Sequence, residues 1–370
     1  MRSPETRADG APPEAWRNIH VYSGSLDRLL GECVLPFLQN SATGLAKAFF
    51  ERHYAGGPHA RVRFCGTESL AASTARQFKL EALAWLGENR TTAAYLYSDQ
   101  RAGEMMFAEG QIPAQGELDY RENTAVEFPY QRLEGCPLAP ALRDLLESFL
   151  QACTPVAAEA LSGRTPKLEW ALRLYFTHAA LITGDQRGGA VAFRAHWEGF
   201  ASLMKNRKVV KAIRDTYELQ RDFVKALLVD VSSAADGSCA SWSKLIGDCD
   251  RRLAAIPVTD LGFQTVLPHQ AKDRTAALRV ASVEMSPFFD VLLDAPQFFV
   301  EFGRDRTLIR VRVLINLLYC LIANLGLSLI DRMSLCFFAY RAVEDHFGCD
   351  LTDDLTRTVR KFTGIERFGK

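Results

Sequence analysis

Two stretches of the sequence hold the side chains best suited to chemistry. In Ala48 to Cys65, AFFERHYAGGPHARVRFC, the basic residues His59, Arg61 and Arg63 alternate with Ala60, Val62 and Phe64. A period of two places the basic set on one face of a strand and the apolar set on the other. Nitrogen donors grouped in this way grip carboxylates or peptide carbonyls. The same pattern also fits a solvated sheet face. The second stretch is Thr307 to Leu325, TLIRVRVLINLLYCLIANL. It is apolar nearly all round, which predicts a buried helix. Arg312, Asn316 and Tyr319 stand at i, i+4 and i+7 and share one stripe of it. Polar groups on a buried helix either form a network that orients neighbouring helices or line a cavity. A phenol beside a carboxamide makes a donor–acceptor pair, and a guanidinium can polarise a carbonyl. Arg310 falls off the stripe. Ser286 precedes Pro287 and reads first as a helix N-cap, then as a hydroxyl within reach of a substrate.

These residues need elements to position them. Arg17–Tyr22 reads as a strand, and Ser25 as the cap of a helix carrying Leu26, Leu29, Leu30, Cys33, Val34 and Phe37 at helical spacing. Phe49–Tyr54 and His59–Phe64 then form a hairpin around Gly56-Gly57-Pro58. The facing of the first hairpin strand is ambiguous, because both alternate sets contain aromatics. A helix capped by Thr67 or Ser69 runs to about Leu86, and Thr91–Tyr97 reads as a fourth strand. The order β-α-β-β-α-β predicts an α+β fold, a ferredoxin-like sheet unit with both helices on one face. Met106–Ala108 is a further candidate strand, and Glu117–Tyr130 reads as extended chain or an arm. From Pro137 onward the pattern is helical: Leu138–Ala160, Lys167–Ile182, Gly189–Lys205, Val209–Val229, Ser241–Ile256 and a last group from Asp273 to about Lys361. Asp230–Ser238 reads as a loop. The expected organisation is a disordered arm over residues 1–15, the sheet unit over 16–130 and a helical region over 131–370.

Composition narrows the function classes. The 370 residues carry a formal net charge of +0, which argues against an extended nucleic-acid or anionic-membrane footprint. Nine scattered cysteines and seven histidines show no zinc spacing, so no metal is expected. The polar N-terminus and an odd cysteine count fit reduced thiols in the cytoplasm. Val313–Ile330 lacks charge and approaches membrane-spanning length, but Asn324-Leu325-Gly326 reads as a helix stop. Two buried helices joined at Gly326 explain it better than a membrane span. Signatures for dinucleotides, P-loop phosphates, zinc proteolysis and the serine-hydrolase elbow are absent from the sequence.

Longer segments carry a family resemblance. The opening W…HVYSG…LL…VLPFL, followed by FFERHYAGGPHARVRF, resembles the C-terminal domain of lantibiotic dehydratases, which also occurs as free-standing thiopeptide-type bacteriocin biosynthesis proteins. The resemblance continues in HWEGF and in SPFF…RTLIRVRVLINLLYCLIANLGLSLIDR…AYRAVEDHFG, from Trp16 to about Gly348. In the dehydratases that domain resembles a glutamate-elimination module and carries a histidine in S-x-x-H-M-x-x-N-R-L. The matching stretch here runs from Asn316 to Leu325, with Tyr319 at the histidine position. A phenol with a pKa of about 10 replaces a group that titrates near neutrality.

The form R…N..Y…LGL…R resembles free-standing thiopeptide pyridine synthases more closely. That resemblance implies a formal aza-[4+2] cycloaddition of two dehydroalanines in a modified precursor peptide, with loss of water and of the leader peptide. The chemistry requires no redox cofactor or metal. The implied site comprises Tyr319 and Asn316 as donor and acceptor, Ser286 as a further hydroxyl, and His59, Arg61, Arg63 and Arg312 as substrate-binding groups. The implied partners are the precursor peptide, its leader and other peptide-modifying enzymes. Two other readings are a glutamate-elimination subunit of a split tRNA-dependent dehydratase and a non-catalytic leader-binding subunit.

Overall fold

The computed structural model describes residues 14–54, 56–91, 121–128, 139–233, 239–261, 268–301 and 303–364. They fall into two units. The first contains the described residues up to Phe128, Arg143–Arg164 and Leu321–Ser328, and the second contains the rest.

The first unit is built on a four-stranded antiparallel sheet of order β2-β3-β1-β4. Its strands are β1 (Ala15–Tyr22), β2 (Lys47–His53), β3 (His59–Gly66) and β4 (Thr124–Phe128). This is the order of the expected split βαβ unit. The strand beside β1 is Thr124–Phe128, within the Glu117–Tyr130 stretch expected to be extended chain or an arm. Residues 92–97 and the Met106–Ala108 candidate lie outside the described residues, as does most of the N-terminal arm. Gly56 and Gly57, at φ 69° and 115°, make the β2–β3 turn.

Register settles the facing that the sequence left open. Phe49 pairs with Arg63, Glu51 with Arg61 and His53 with His59. These residues therefore share a face with Asn18, His20 and Tyr22 of β1. The opposite face carries Ile19, Val21, Phe50, Val62 and Phe64, all buried. Phe64 meets Phe37 and Phe78 at ring distances of 6.0 and 5.6 Å, so the helices after β1 and β3 cover this face.

The first of those helices is broken. α1 (Leu26–Leu29) passes into a π-turn over Leu30–Val34 and then α2 (Leu35–Asn40). Pro36 has no N–H to give to the carbonyl four residues back, which accounts for the wider turn before it. α3 (Glu68–Glu88) is capped by Thr67, whose hydroxyl accepts the Leu70 N–H.

The helices that follow are α4 (Pro140–Ala152), α5 (Thr154–Leu161), α6 (Lys167–Thr183), α7 (Gln186–Leu203), α8 (Arg207–Ser233), α9 (Ala240–Ala255), α10 (Pro268–Ala281), α11 (Pro287–Leu293), α12 (Pro296–Glu301), α13 (Arg306–Asn324), α14 (Leu329–Phe347) and α15 (Leu351–Thr363). The expected Leu138–Ala160 helix is interrupted at Cys153, two residues before Pro155. α8 continues to Ser233, into the stretch expected to be a loop. α14 packs on α7 and α8, with Phe337 against Trp197 at 4.6 Å and Tyr217 at 5.7 Å.

α13 and α14 are the two helices expected on either side of Gly326. By length and composition α13 alone, among the described residues, could cross a membrane. Its residues Ile309, Leu314, Leu318 and Ile322 are buried within the protein. Gly326 itself is constrained twice. Its φ is +77°, and a Cβ there would lie 2.6 Å from the Arg52 guanidinium. Arg52 is fixed by Asp27 and by the Asn324 carbonyl at 2.6 Å, so it has little room to yield. Gly326→Ala is expected to cost roughly 1–3 kcal/mol. Thermal unfolding checks this, and a melting temperature equal to wild type would show that the helix junction relaxes freely.

Candidate functional site

In the first unit the basic face is not solvated. His20, His53, His59 and Arg63 are buried, and Arg61 is half-buried. His59 stacks on His20 at 4.8 Å and lies 5.2 Å from His53. The His59 Nδ1 meets the Gly57 carbonyl at 2.9 Å, which makes Nδ1 the donor and leaves Nε2 to accept from Arg61 Nε at 3.4 Å. Arg61 Nη2 meets His53 Nδ1 at 3.0 Å. Burial, and next the charge of Arg61, hold His59 down at about 3. His53 is lowered by the same two causes. His20 is lowered by burial first and by His59 next. All three rings are therefore neutral at pH 7, and Arg61 is a cation braced by imidazoles.

Arg63 differs from Arg61. It forms an ion pair with Glu51 and lies over the Phe49 ring at 5.6 Å. Removing it would leave the Glu51 carboxylate uncompensated in a largely buried position. Arg63→Ala should lose about 3 kcal/mol of stability, whereas Arg61→Ala should lose much less. Denaturant unfolding of both variants distinguishes the arginine held by a carboxylate from the one held by neutral imidazoles.

In the second unit the stripe on α13 is regular, but it is not buried as expected. Arg312 and Asn316 are exposed, and Tyr319 is half-buried. The apolar positions of α13 go to the core and leave this stripe on its open side. The Tyr319 hydroxyl shares a hydrogen bond with Cys336 Sγ at 3.1 Å. Burial of the phenol, and then the Cys336 sulfur, push its pKa well above the usual tyrosine value. Tyr319 is thus a hydrogen-bond donor and a poor source of phenolate. Arg310 points elsewhere, to Asp250 at 2.8 Å and the Ile182 carbonyl at 2.6 Å.

Facing Tyr319 is a residue that periodicity did not single out. His196 of α7 stands edge-on to the phenol, with 5.2 Å between ring centres and 86° between planes. Phe193 and Trp197 on either side of it are buried, while His196 is exposed. The protein around the ring, and next the charge of Arg312, lower its pKa to about 4. Burial, and next the charge of Arg274, lower the pKa of Arg312 in turn.

Ser286 belongs to a different cluster. It caps α11 by accepting the Phe289 N–H at 3.1 Å, and its hydroxyl lies near enough to the Glu198 carboxylate to lower that group's pKa. Glu198 is buried, and burial raises its pKa despite Ser286 and Arg194 beside it. Arg194 also pairs with Glu344 and lies 4.5 Å from the Phe288 ring. Residues 196 and 198 point about 200° apart on a helix. Ser286 is therefore held on another side of α7 from the ring that meets Tyr319. Capping α11 gives this hydroxyl a structural role. His196 and Glu198 both stand in the HWEGF stretch, so the sequence did contain a pointer to them. Among the described residues no three His, Cys, Asp or Glu side chains converge on a metal position.

The family described as lantibiotic biosynthesis dehydratase C-term matches residues 16–343. The chain belongs to that family. Two solved structures share the fold over nearly all of both chains. The pyridine synthase TbtD from thiomuracin biosynthesis is 20 % identical, with a TM-score of 0.63, covering 90 % of this chain and 99 % of its own. TsrL is 18 % identical, with a TM-score of 0.64, covering 94 % and 99 %. The tRNA-dependent lantibiotic dehydratase MibB from Microbispora sp. 107891 is 15 % identical, with a TM-score of 0.48, covering 94 % of this chain and 29 % of its own. No curated protein matches the sequence. In this member of the lantibiotic dehydratase C-terminal family, Tyr319 has an imidazole packed against it from another helix.

Proposed function

We propose that the protein is a peptide cyclase that joins two dehydroalanines of a ribosomally made, leader-bearing peptide into a pyridine-centred macrocycle. Family membership and a fold shared with a pyridine synthase support an enzyme of peptide modification. The observation that carries the cyclase reading is Tyr319, a donor phenol where an elimination enzyme has histidine, on an open stripe with Arg312 and Asn316.

In this chemistry the amide before one dehydroalanine becomes its iminol, giving a 2-azadiene. Two carbon–carbon bonds form with the second dehydroalanine. Water leaves from the former amide carbon, and the leader leaves with the amide nitrogen of the dienophile residue. Such a reaction is limited by positioning and by stabilisation of the amide oxygen. Tyr319 donates to that oxygen and Arg312 stabilises its charge. Asn316 holds a neighbouring peptide group, and Arg61 with the His59 face grips carbonyls of the flexible substrate.

Glutamate elimination is the second reading, because His196 brings an imidazole to Tyr319 even though the histidine position is lost. Parallel incubations separate the two. A bis-dehydroalanine peptide with leader should be consumed, and a glutamylated peptide should persist. Consumption of the glutamylated peptide alone would establish elimination. Tight leader binding with neither substrate altered would leave a leader-binding subunit.

A further inference from the structure

The second unit presents an exposed imidazole that packs against a phenol on another helix. His196 occupies the exposed edge of α7 between two buried aromatics, yet it is turned edge-on to Tyr319. Among the described residues its ring nitrogens make no side-chain hydrogen bond. A leucine or phenylalanine would pack against the phenol equally well, so the nitrogens call for another use. Resting on the cyclase reading above, we propose that His196 is a catalytic residue that accepts the N–H proton of the substrate amide as the azadiene forms, while Tyr319 and Arg312 hold the amide oxygen.

The proton balance is closed. The amide nitrogen gives its proton to the free imidazole nitrogen, and the C=N bond forms as the carbonyl π electrons move to oxygen. The iminolate so formed is stabilised by the Tyr319 hydroxyl and the Arg312 cation. The imidazolium then returns the same proton to that oxygen, giving the iminol and a neutral His196. Nothing is consumed. Each neighbour suits this division of work. Arg312 disfavours a standing charge on the imidazole, so the ring waits in the accepting form. Tyr319 is too weak an acid to be ionised by it, so it remains a donor. Asn316, the acceptor suggested by the stripe alone, offers only a carboxamide oxygen, which is a far weaker base than imidazole.

The test uses the full-length protein and a synthetic leader-bearing peptide with two dehydroalanines, with product followed by mass spectrometry. His196→Phe keeps an aromatic ring against Tyr319 and removes the acceptor. It should bind the leader as wild type does and cyclise roughly a hundredfold more slowly. His196→Gly should be slow alone and recover part of its rate when imidazole is added to the buffer, which a purely structural role would not produce. His196→Phe turning over at the wild-type rate overturns this inference and leaves the functional reading intact. Wild-type protein that leaves the peptide unchanged overturns both.

Discussion

Tyr319→Phe should slow cyclisation by roughly a hundredfold, the usual scale for losing one proton-handling or oxyanion-binding group, while leaving the fold almost as stable as wild type. The substitution keeps the ring against His196 and within 6.4 Å of Tyr175. It removes only the hydroxyl and its contact with Cys336 Sγ. One lost hydrogen bond costs about 1 kcal/mol, a change visible in a melt but too small to unfold the protein. The loss should fall on turnover rather than on leader affinity, since the phenol acts on the amide oxygen as charge develops there. A variant with wild-type turnover would show that the hydroxyl serves Cys336 alone.

Mild acid should unfold the first unit. His20, His53 and His59 are buried and neutral, with pKa values held below the ordinary 6.5. In the unfolded chain they titrate at about 6.5. Below that pH the unfolded state binds protons that the folded state refuses, so stability is full above pH 6.5 and falls as the pH drops. Each histidine contributes a slope of about 1.4 kcal/mol per pH unit, and three together about 4 kcal/mol per pH unit. Against a typical total of about 5–15 kcal/mol, about one to four pH units below 6.5 suffice. Circular dichroism at decreasing pH should show a cooperative loss between pH 6 and 4. His53→Asn should shift that midpoint to lower pH by removing one proton-binding group from the unfolded side. A fold unchanged at pH 4 would show that these histidines do not govern the stability of the first unit.

The sheet was readable because strand alternation is a local property. His59, Arg61 and Arg63 lie on one face and Val62 and Phe64 on the other, as their spacing required. What the spacing could not say is that the basic face is buried. Burial depends on distant chain, and alternation reads the same against water or protein. Thr124–Phe128 reads only as extended chain or an arm because TAVEF is short and stands far along the chain from β1, its partner. The stripe on α13 was located correctly and its exposure misjudged. An apolar helix with three polar positions reads as wholly buried unless one knows which side its neighbours leave open. His196 shows the limit most clearly. Its own helix marks it only as a polar residue between Phe193 and Trp197, and nothing local says that Tyr319 lies across from it.

The mass of the leader released from a bis-dehydroalanine peptide tests the cyclase reading most directly. If the ring forms and aromatises, the dienophile's nitrogen leaves with the leader. The fragment then ends in a carboxamide, and the core peptide appears as a ring lacking one further water. Simple hydrolysis would give a leader ending in a carboxylic acid and an unringed core whose freed N-terminal dehydroalanine takes up water and loses ammonia to become a 2-oxopropionyl group. The expected result is carboxamide leader and dehydrated core in equal amounts. Carboxylate leader, or a peptide recovered intact beside a consumed glutamylated substrate, would contradict the assignment.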